Sequence, residues 1–355
     1  MSIKYSFKNL VFQGGGIKTF AYHGALEVLE EQQVLHQIER VAGTSAGAPL
    51  AMLLSFRLSA QETIQILRSI DYAKIPGTNA KLPDWARRVP LAEAQIAALM
   101  QRMDRLNRLY RNYGWFALDY AYHWVMDMIA QHCHGNGRAT FEDFRKLGYR
   151  DLHILAANLS RHRAVNFCAD EPPHVAVADA VLMSAPLPLF FEALQFDGTQ
   201  FGKGEYYADG GLVANFPIHL FDAPKYAKGN PHFVYGVNWE TLGCRVYSPP
   251  DCPPLTRPVK NLLTYMQNLV ETLAMAQDIA FDNSLVDQLR TINIDDRCVG
   301  VTDFHIRPSE DDPQYVELTA SGRGAAREYL EQYRLPTDRF YDLKVRFAEF
   351  IAQWR

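Results

Sequence analysis

The sequence predicts an α/β protein with a mainly parallel sheet covered by helices on both faces. Short apolar runs such as NLVF and RVAG alternate with longer segments whose apolar residues recur at helical spacing. Glycines sit where strands turn into helices, as in GGG at 14–16 and GTSAG at 43–47. No internal repeat or low-complexity tract breaks the alternation, and that rhythm is the signature of strand–helix–strand units.

Taken in order, NLVF reads as a short buried strand ending at Gly14, Gly15 and Gly16. A helix follows, with Phe20, Ala21, Gly24, Ala25, Val28 and Leu29 along one face. RVAG is a second strand, and AGAPLAMLLSF opens a second helix. DLHILAANLS and RAVNFC read as strands, VAVADAVLMSA as a helix, YYADGG as the end of a strand, and HFVYGVNW as a further strand. The stretch from about 77 to 137 interrupts the rhythm with helical, aromatic text and reads as a cap inserted over the sheet. YSPPDCPPLTRP is a proline-rich break before one long helix, which a strand TINI and a helix GRGAAREYLEQY follow. Residues 334–355 form a final amphipathic tail.

Composition narrows the function. The 355 residues are 48% hydrophobic, enough for a sizeable core, and the net charge of −4 argues against a nucleic-acid binder. The five cysteines (Cys133, Cys168, Cys244, Cys252 and Cys298) are scattered and odd in number, with no Cys-x-x-Cys pair, and are expected to be reduced thiols in a cytoplasmic protein. MSIKYSFKNLVF is too polar for a secretory signal, and no apolar run reaches the ~20 residues that span a bilayer. Contact with a membrane is therefore expected to be peripheral, and export by a route without a cleaved signal stays open.

Two motifs carry chemistry. Gly14, Gly15 and Gly16 join a strand to a helix, where backbone N–H groups and the helix dipole favour an anion. A dinucleotide fingerprint would need glycine where Thr19 stands, and a P-loop would need glycine where Ile17 precedes Lys18. An anion cradle without a nucleotide remains, such as an oxyanion hole. Gly43 and Gly47 flank Ser45 in the G-x-S-x-G pattern of a sharp strand-to-helix elbow that exposes a nucleophile. The competing reading is that Ser45 only caps a helix. For a base, His219, His232 and His305 are candidates by residue type, although none lies in a distinctive loop. HCH at 132–134 lacks a companion cluster for a metal and reads as a fraying helix end. Asp209, at a strand end before Gly210 and Gly211, is better placed.

GGGIK, GTSAG and DGG, in that order, resemble the three signatures of the patatin-like phospholipase family, and TFEDF, LHILAANLSRHRAVNF, VADAVLMSAPLPLFFEAL and YYADGGLVANFPIHLFD are similar to its core. The resemblance runs from about 7 to 333, with Thr19 standing where the family often has glycine. It implies a three-layer α/β/α fold with a mainly parallel central sheet and a helical cap. It also implies a serine–aspartate dyad without histidine, with Ser45 as nucleophile and Asp209 as base. The backbone at Gly14, Gly15 and Gly16 would be the oxyanion hole, and Lys18 the basic residue beside it. No metal or cofactor is implied. The expected activity is hydrolysis of fatty-acyl esters in phospholipids or lysophospholipids, with any protein activator left open. Two competitors are a lipase or esterase with a Ser-His-Asp triad, and an inactive lipid-binding or host-interacting protein. Finally, Arg102, Arg105 and Arg108 recur every third residue within the basic stretch 81–111, which reads either as a solvated helix face over the core or as a face that docks on an anionic bilayer.

Overall fold

The computed structural model describes residues 5–76, 107–250, 252, 258–260 and 262–334. The principal strands are β1 (Asn9–Phe12), β2 (Arg40–Thr44), β3 (Asp151–Asn158), β4 (Arg163–Phe167), β5 (Leu194–Phe196), β6 (Glu205–Asp209), β7 (Thr241–Tyr247) and β8 (Thr291–Asp295). They form one eight-stranded sheet in the order β8-β7-β1-β2-β3-β6-β5, with β4 also paired to β3. The run β8-β7-β1-β2-β3 is parallel throughout, β4 and β6 pair antiparallel with β3, and β5 pairs antiparallel with β6. The α/β class and the mainly parallel sheet are as expected.

Successive residues of a strand face opposite ways, and β1 shows how this divides the core. Leu10 and Phe12 point into the larger core, packed with α1 (Ala21–Glu31), α2 (Gly47–Ser55), α3 (Ala60–Arg68), α5 (Val177–Ser184) and α7 (Pro313–Gln332). Val11 and its neighbour Ala42 point the other way, against Ile218 and Phe221. That second face is covered thinly there, by 3-10 turns at Ile218–Asp222 and Pro224–Tyr226, with Phe281 of α6 (Leu262–Asp282) meeting Phe216 edge to face.

Three expectations need correction. HFVYGVNW does not form one strand: Tyr235 and Gly236 both have positive φ and turn the chain between Phe233–Val234 and Val237–Asn238. A Tyr-Gly pair inside an apolar run is a hairpin turn, and the sheet strand is the next segment, TLGCRVY. The cap is not purely helical, because Gly114–Phe116 is a strand paired parallel with Leu189–Phe191, followed by α4 (Asp119–His132). Residues 77–106 of the cap and the 335–355 tail lie outside the described residues. Lastly, the cysteines are not all reduced. Cys252 and Cys298 form a disulfide, while Cys133, Cys168 and Cys244 are free and buried. The two are 46 positions apart and are brought together only because β7 and β8 are neighbours ending at the same edge. The cytoplasmic expectation loses the support it drew from reduced thiols.

Candidate active site

The register of the sheet explains how two distant residues meet. Along β3, residues Asp151–Leu155 pair with β2, Ile154–Asn158 with β4, and Ala156–Asn158 with β6. A strand has two edges, so β2 and β6 share one edge of β3 and approach each other end to end. Thr44 is the last residue of β2 and lies opposite Leu155, while Asp209 is the last of β6 and lies opposite Ala156. Ser45 therefore steps out of β2 directly towards Asp209. Its Oγ donates to Oδ2 of Asp209 at 2.6 Å.

Ser45 stands in an elbow. Its φ is +52°, a left-handed conformation that L-residues seldom adopt. Its N–H is fixed at 2.8 Å on Oγ of Ser184, whose hydroxyl in turn donates to the Leu155 carbonyl. A Cβ at Gly43 would strike the Gly47 carbonyl, and one at Gly47 would crowd the Phe12 and Gln13 carbonyls. The two glycines of GTSAG are thus required by close backbone approach at the elbow. Helix α2 starts at Gly47 with no side-chain cap, so the hydroxyl of Ser45 serves Asp209 and not the helix.

Asp209 is only 2% exposed, and burial raises its carboxyl from the ordinary 3.8 to about 6. Hydrogen bonds from Ser45 and from the Gly211 N–H, the latter at 2.7 Å to Oδ1, oppose that rise. Gly210 packs against the Leu155 carbonyl, close enough that a side chain there would collide.

The glycine loop lies alongside. The Gly14 N–H donates to the Asn215 carbonyl at 3.1 Å, whereas the N–H groups of Gly15 and Gly16 have no acceptor among the described residues. Gly16 has φ +56° and abuts the Val301 carbonyl, leaving no room for a Cβ. Thr19 is accommodated because its hydroxyl donates to the Gly16 carbonyl at 2.7 Å. Lys18 is committed: Nζ sits 2.6 Å from Oδ2 of buried Asp296 and 3.2 Å from Oγ of Ser248. It ties the loop to the ends of β7 and β8.

Two cavities meet at Ser45. One, the more polar of the two, is lined by the glycine loop, Lys18, Asp209, Gln13, Asn215 and Asp278 together with apolar Phe190, Leu212 and Val246. The other is walled by apolar side chains including Phe20, Leu50, Leu67, Trp124 and Leu182. Gly16, Ser45, Leu187 and Val301 border both.

None of His219, His232 and His305 borders either cavity. His219 is held elsewhere by Asp222 and Asp287 at 3.1 and 3.0 Å. His23 does line the apolar cavity, but its Nδ1 is 2.9 Å from the Tyr315 hydroxyl, and burial, aided by Arg68, lowers its pKa to about 3. HCH is the end of α4, with His134 already at φ +53°.

Residue-by-residue reading missed Ser184, Asn215, Gln277 and Asp296. Gln277 of α6 accepts from the Asn215 N–H at 2.8 Å and donates to the Gly211 carbonyl at 2.7 Å. These are ordinary polar residues in sequence, and only Asn215, six positions after Asp209, lay near a motif.

A family profile described as "Patatin-like phospholipase" matches residues 10–222. The uncharacterized protein YqhO of Bacillus subtilis is 29% identical over 330 residues, covering 91% of this chain and 98% of its own length. The uncharacterized protein R571 of Acanthamoeba polyphaga mimivirus is 26% identical over 216 residues, 61% of each chain. Among solved structures, VipD of Legionella pneumophila superposes with a TM-score of 0.52 at 17% identity, over 92% of this chain and 67% of its own, a likeness of fold alone. The profile spans more than half of the sequence and all three glycine-bearing motifs, and on that ground the chain belongs to the patatin-like phospholipase family.

Proposed function

We propose that this protein hydrolyses fatty-acyl esters of phospholipids or lysophospholipids, with Ser45 as nucleophile and Asp209 as its base. Membership of the family supports a lipid acyl hydrolase in the broad sense. The observation that carries the finer reading is the 2.6 Å bond from Ser45 Oγ to Asp209 Oδ2, formed where the more polar of two cavities meets the apolar one.

In the first half-reaction Asp209 takes the proton of Ser45 as Oγ attacks the ester carbonyl. The negative charge that develops on the carbonyl oxygen is received by the unoccupied N–H groups of Gly15 and Gly16, with Gly14 and Lys18 holding the loop. Collapse of the tetrahedral intermediate expels the alcohol, which takes the proton from Asp209 and leaves the acyl group on Ser45. Water, deprotonated by Asp209, attacks the acyl-enzyme; the fatty acid departs and Ser45 recovers its proton. A carboxyl with a pKa of about 6 suits this work, being more basic than an ordinary aspartate yet ionised near neutrality. The apolar cavity suits the acyl chain and the polar one the glycerol and headgroup.

A triad has less support, because Asp209 already occupies the position of the base at Oγ. The test is hydrolysis of lysophospholipid and diacyl phospholipid, followed by mass spectrometry of released fatty acid, alongside labelling with a fluorophosphonate probe. Ser45→Ala is expected to abolish both signals in a protein that stays folded. Release of fatty acid at the wild-type rate by Ser45→Ala would overturn the assignment.

A further inference from the structure

Helix α6 has two unlike faces. Inward, Gln277 braces the segment after Asp209, and Asp278 lines the polar cavity and pairs with Arg245 at 2.9 Å. Outward, Tyr265, Leu269, Leu273, Met275 and Ile279 face solvent, with Met275 66% and Ile279 62% exposed. At 100° per residue these positions fall on one side of the helix, and Thr272, Ala276 and Ala280, also exposed, fall between them. No charged side chain is described within that stripe. The apolar surface reaches the cavity mouth: in the short helix Gly211–Ala214, Leu212 lines the cavity while Val213 is 46% exposed.

A contiguous apolar patch beside a catalytic cavity marks a contact surface. We propose that the outer face of α6 is where the protein docks on a lipid bilayer, inserting apolar side chains among the acyl chains. This rests on the phospholipid-hydrolase reading above, since a substrate drawn from a bilayer must enter through a mouth held against it. The face fits an uncharged lipid surface: Leu262–Asp282 contains no lysine or arginine, and its charged residues, Glu271, Asp278 and Asp282, are all acidic. Attraction to lipid phosphates is therefore not its mechanism. The basic stretch is an alternative route, but Arg102 and Arg105 lie outside the described residues, and Arg108 is turned onto Glu192 at 2.5 Å.

Vesicle flotation tests this with protein carrying Ser45→Ala, so that binding is read without turnover. The parent is compared with a Leu269→Ser/Leu273→Ser/Ile279→Ser variant on phosphatidylcholine vesicles at low and high salt. The parent is expected to float at both, because salt screens charge and not apolar insertion. The triple variant is expected to lose binding by roughly tenfold or more. In the active background it is expected to keep hydrolysis of a soluble short-chain ester, which also reports that it is folded. As a second probe, Met275→Cys bearing an environment-sensitive fluorophore should shift to the blue on adding vesicles. The proposal is overturned by equal flotation of parent and triple variant, by no flotation of the parent on phosphatidylcholine, or by flotation that needs anionic lipid and vanishes in high salt. It is equally overturned if light scattering shows the parent to be a dimer and the triple variant a monomer, since the face would then join two copies. Failure of the hydrolase reading appears separately, as no fatty acid released from any lipid.

Discussion

Replacing Asp209 by asparagine should make the protein more stable at neutral pH while removing its activity. Burial raises the Asp209 carboxyl from 3.8 to about 6, so the fold binds its proton more tightly than the unfolded chain does. The stability contributed by that protonated form is complete below about pH 4 and is lost as pH rises through about 6. At about 1.4 kcal/mol per pH unit, the ionised carboxylate costs the fold about 3 kcal/mol at pH 8. Asparagine does not ionise and escapes that cost. It cannot accept from both Ser45 and the Gly211 N–H as the carboxylate does, and one mismatched hydrogen bond returns about 1 kcal/mol. The net gain is about 2 kcal/mol, or roughly 3 °C in Tm for a chain of this size. Thermal melts followed by circular dichroism at pH 8 and at pH 4 measure it. The variant should melt higher at pH 8 and no higher than wild type at pH 4. Equal Tm values at pH 8, or the same difference at both pH values, would refute the claim that Asp209 is strained by its charge.

Under the proposed mechanism the same titration governs catalysis, because the base must be ionised. On a soluble ester kcat/KM should fall about tenfold per pH unit below about 6, and a flat profile down to pH 5 would count against Asp209 as the base. Ala121 of α4 borders the apolar cavity, so Ala121→Phe should cut kcat/KM for a palmitoyl ester by about tenfold relative to a butyryl ester; an unchanged ratio would remove the acyl chain from that cavity. Lys18→Ala removes the tether to Asp296 and Ser248 and should lower kcat about tenfold or more with KM little changed, with Lys18→Arg partly restoring it. A rise in KM alone would instead assign Lys18 to substrate binding.

The strands and helices next to the glycine motifs were legible because short-range chemistry dictates them. Only glycine permits the backbone contacts at Gly43 and Gly47, and periodic apolar residues specify α1 and α2 wherever they pack. Where local signals compete, reading by periodicity failed. Tyr235-Gly236 turned one apparent strand into a hairpin, and TLGCRVY, which does join the sheet beside β1, carried no distinguishing pattern. The family resemblance named Ser45 and Asp209 as partners, but composition and spacing left the base open among histidines and acids. What the sequence by itself determined was the set of turns that the chain must make and the residue types presented at each. The tertiary structure alone decided which of those turns meet. Residues 164 positions apart touch because β2 and β6 abut along one edge of β3, and the Asp209 carboxyl rises to about 6 only because burial there strips its carboxylate of water. The Cys252–Cys298 bond and the Lys18–Asp296 pair arise likewise, from strands made neighbours by the sheet and from no signal within either segment. Pairing of distant strands is a property of the whole packed core, and a window of sequence does not contain it.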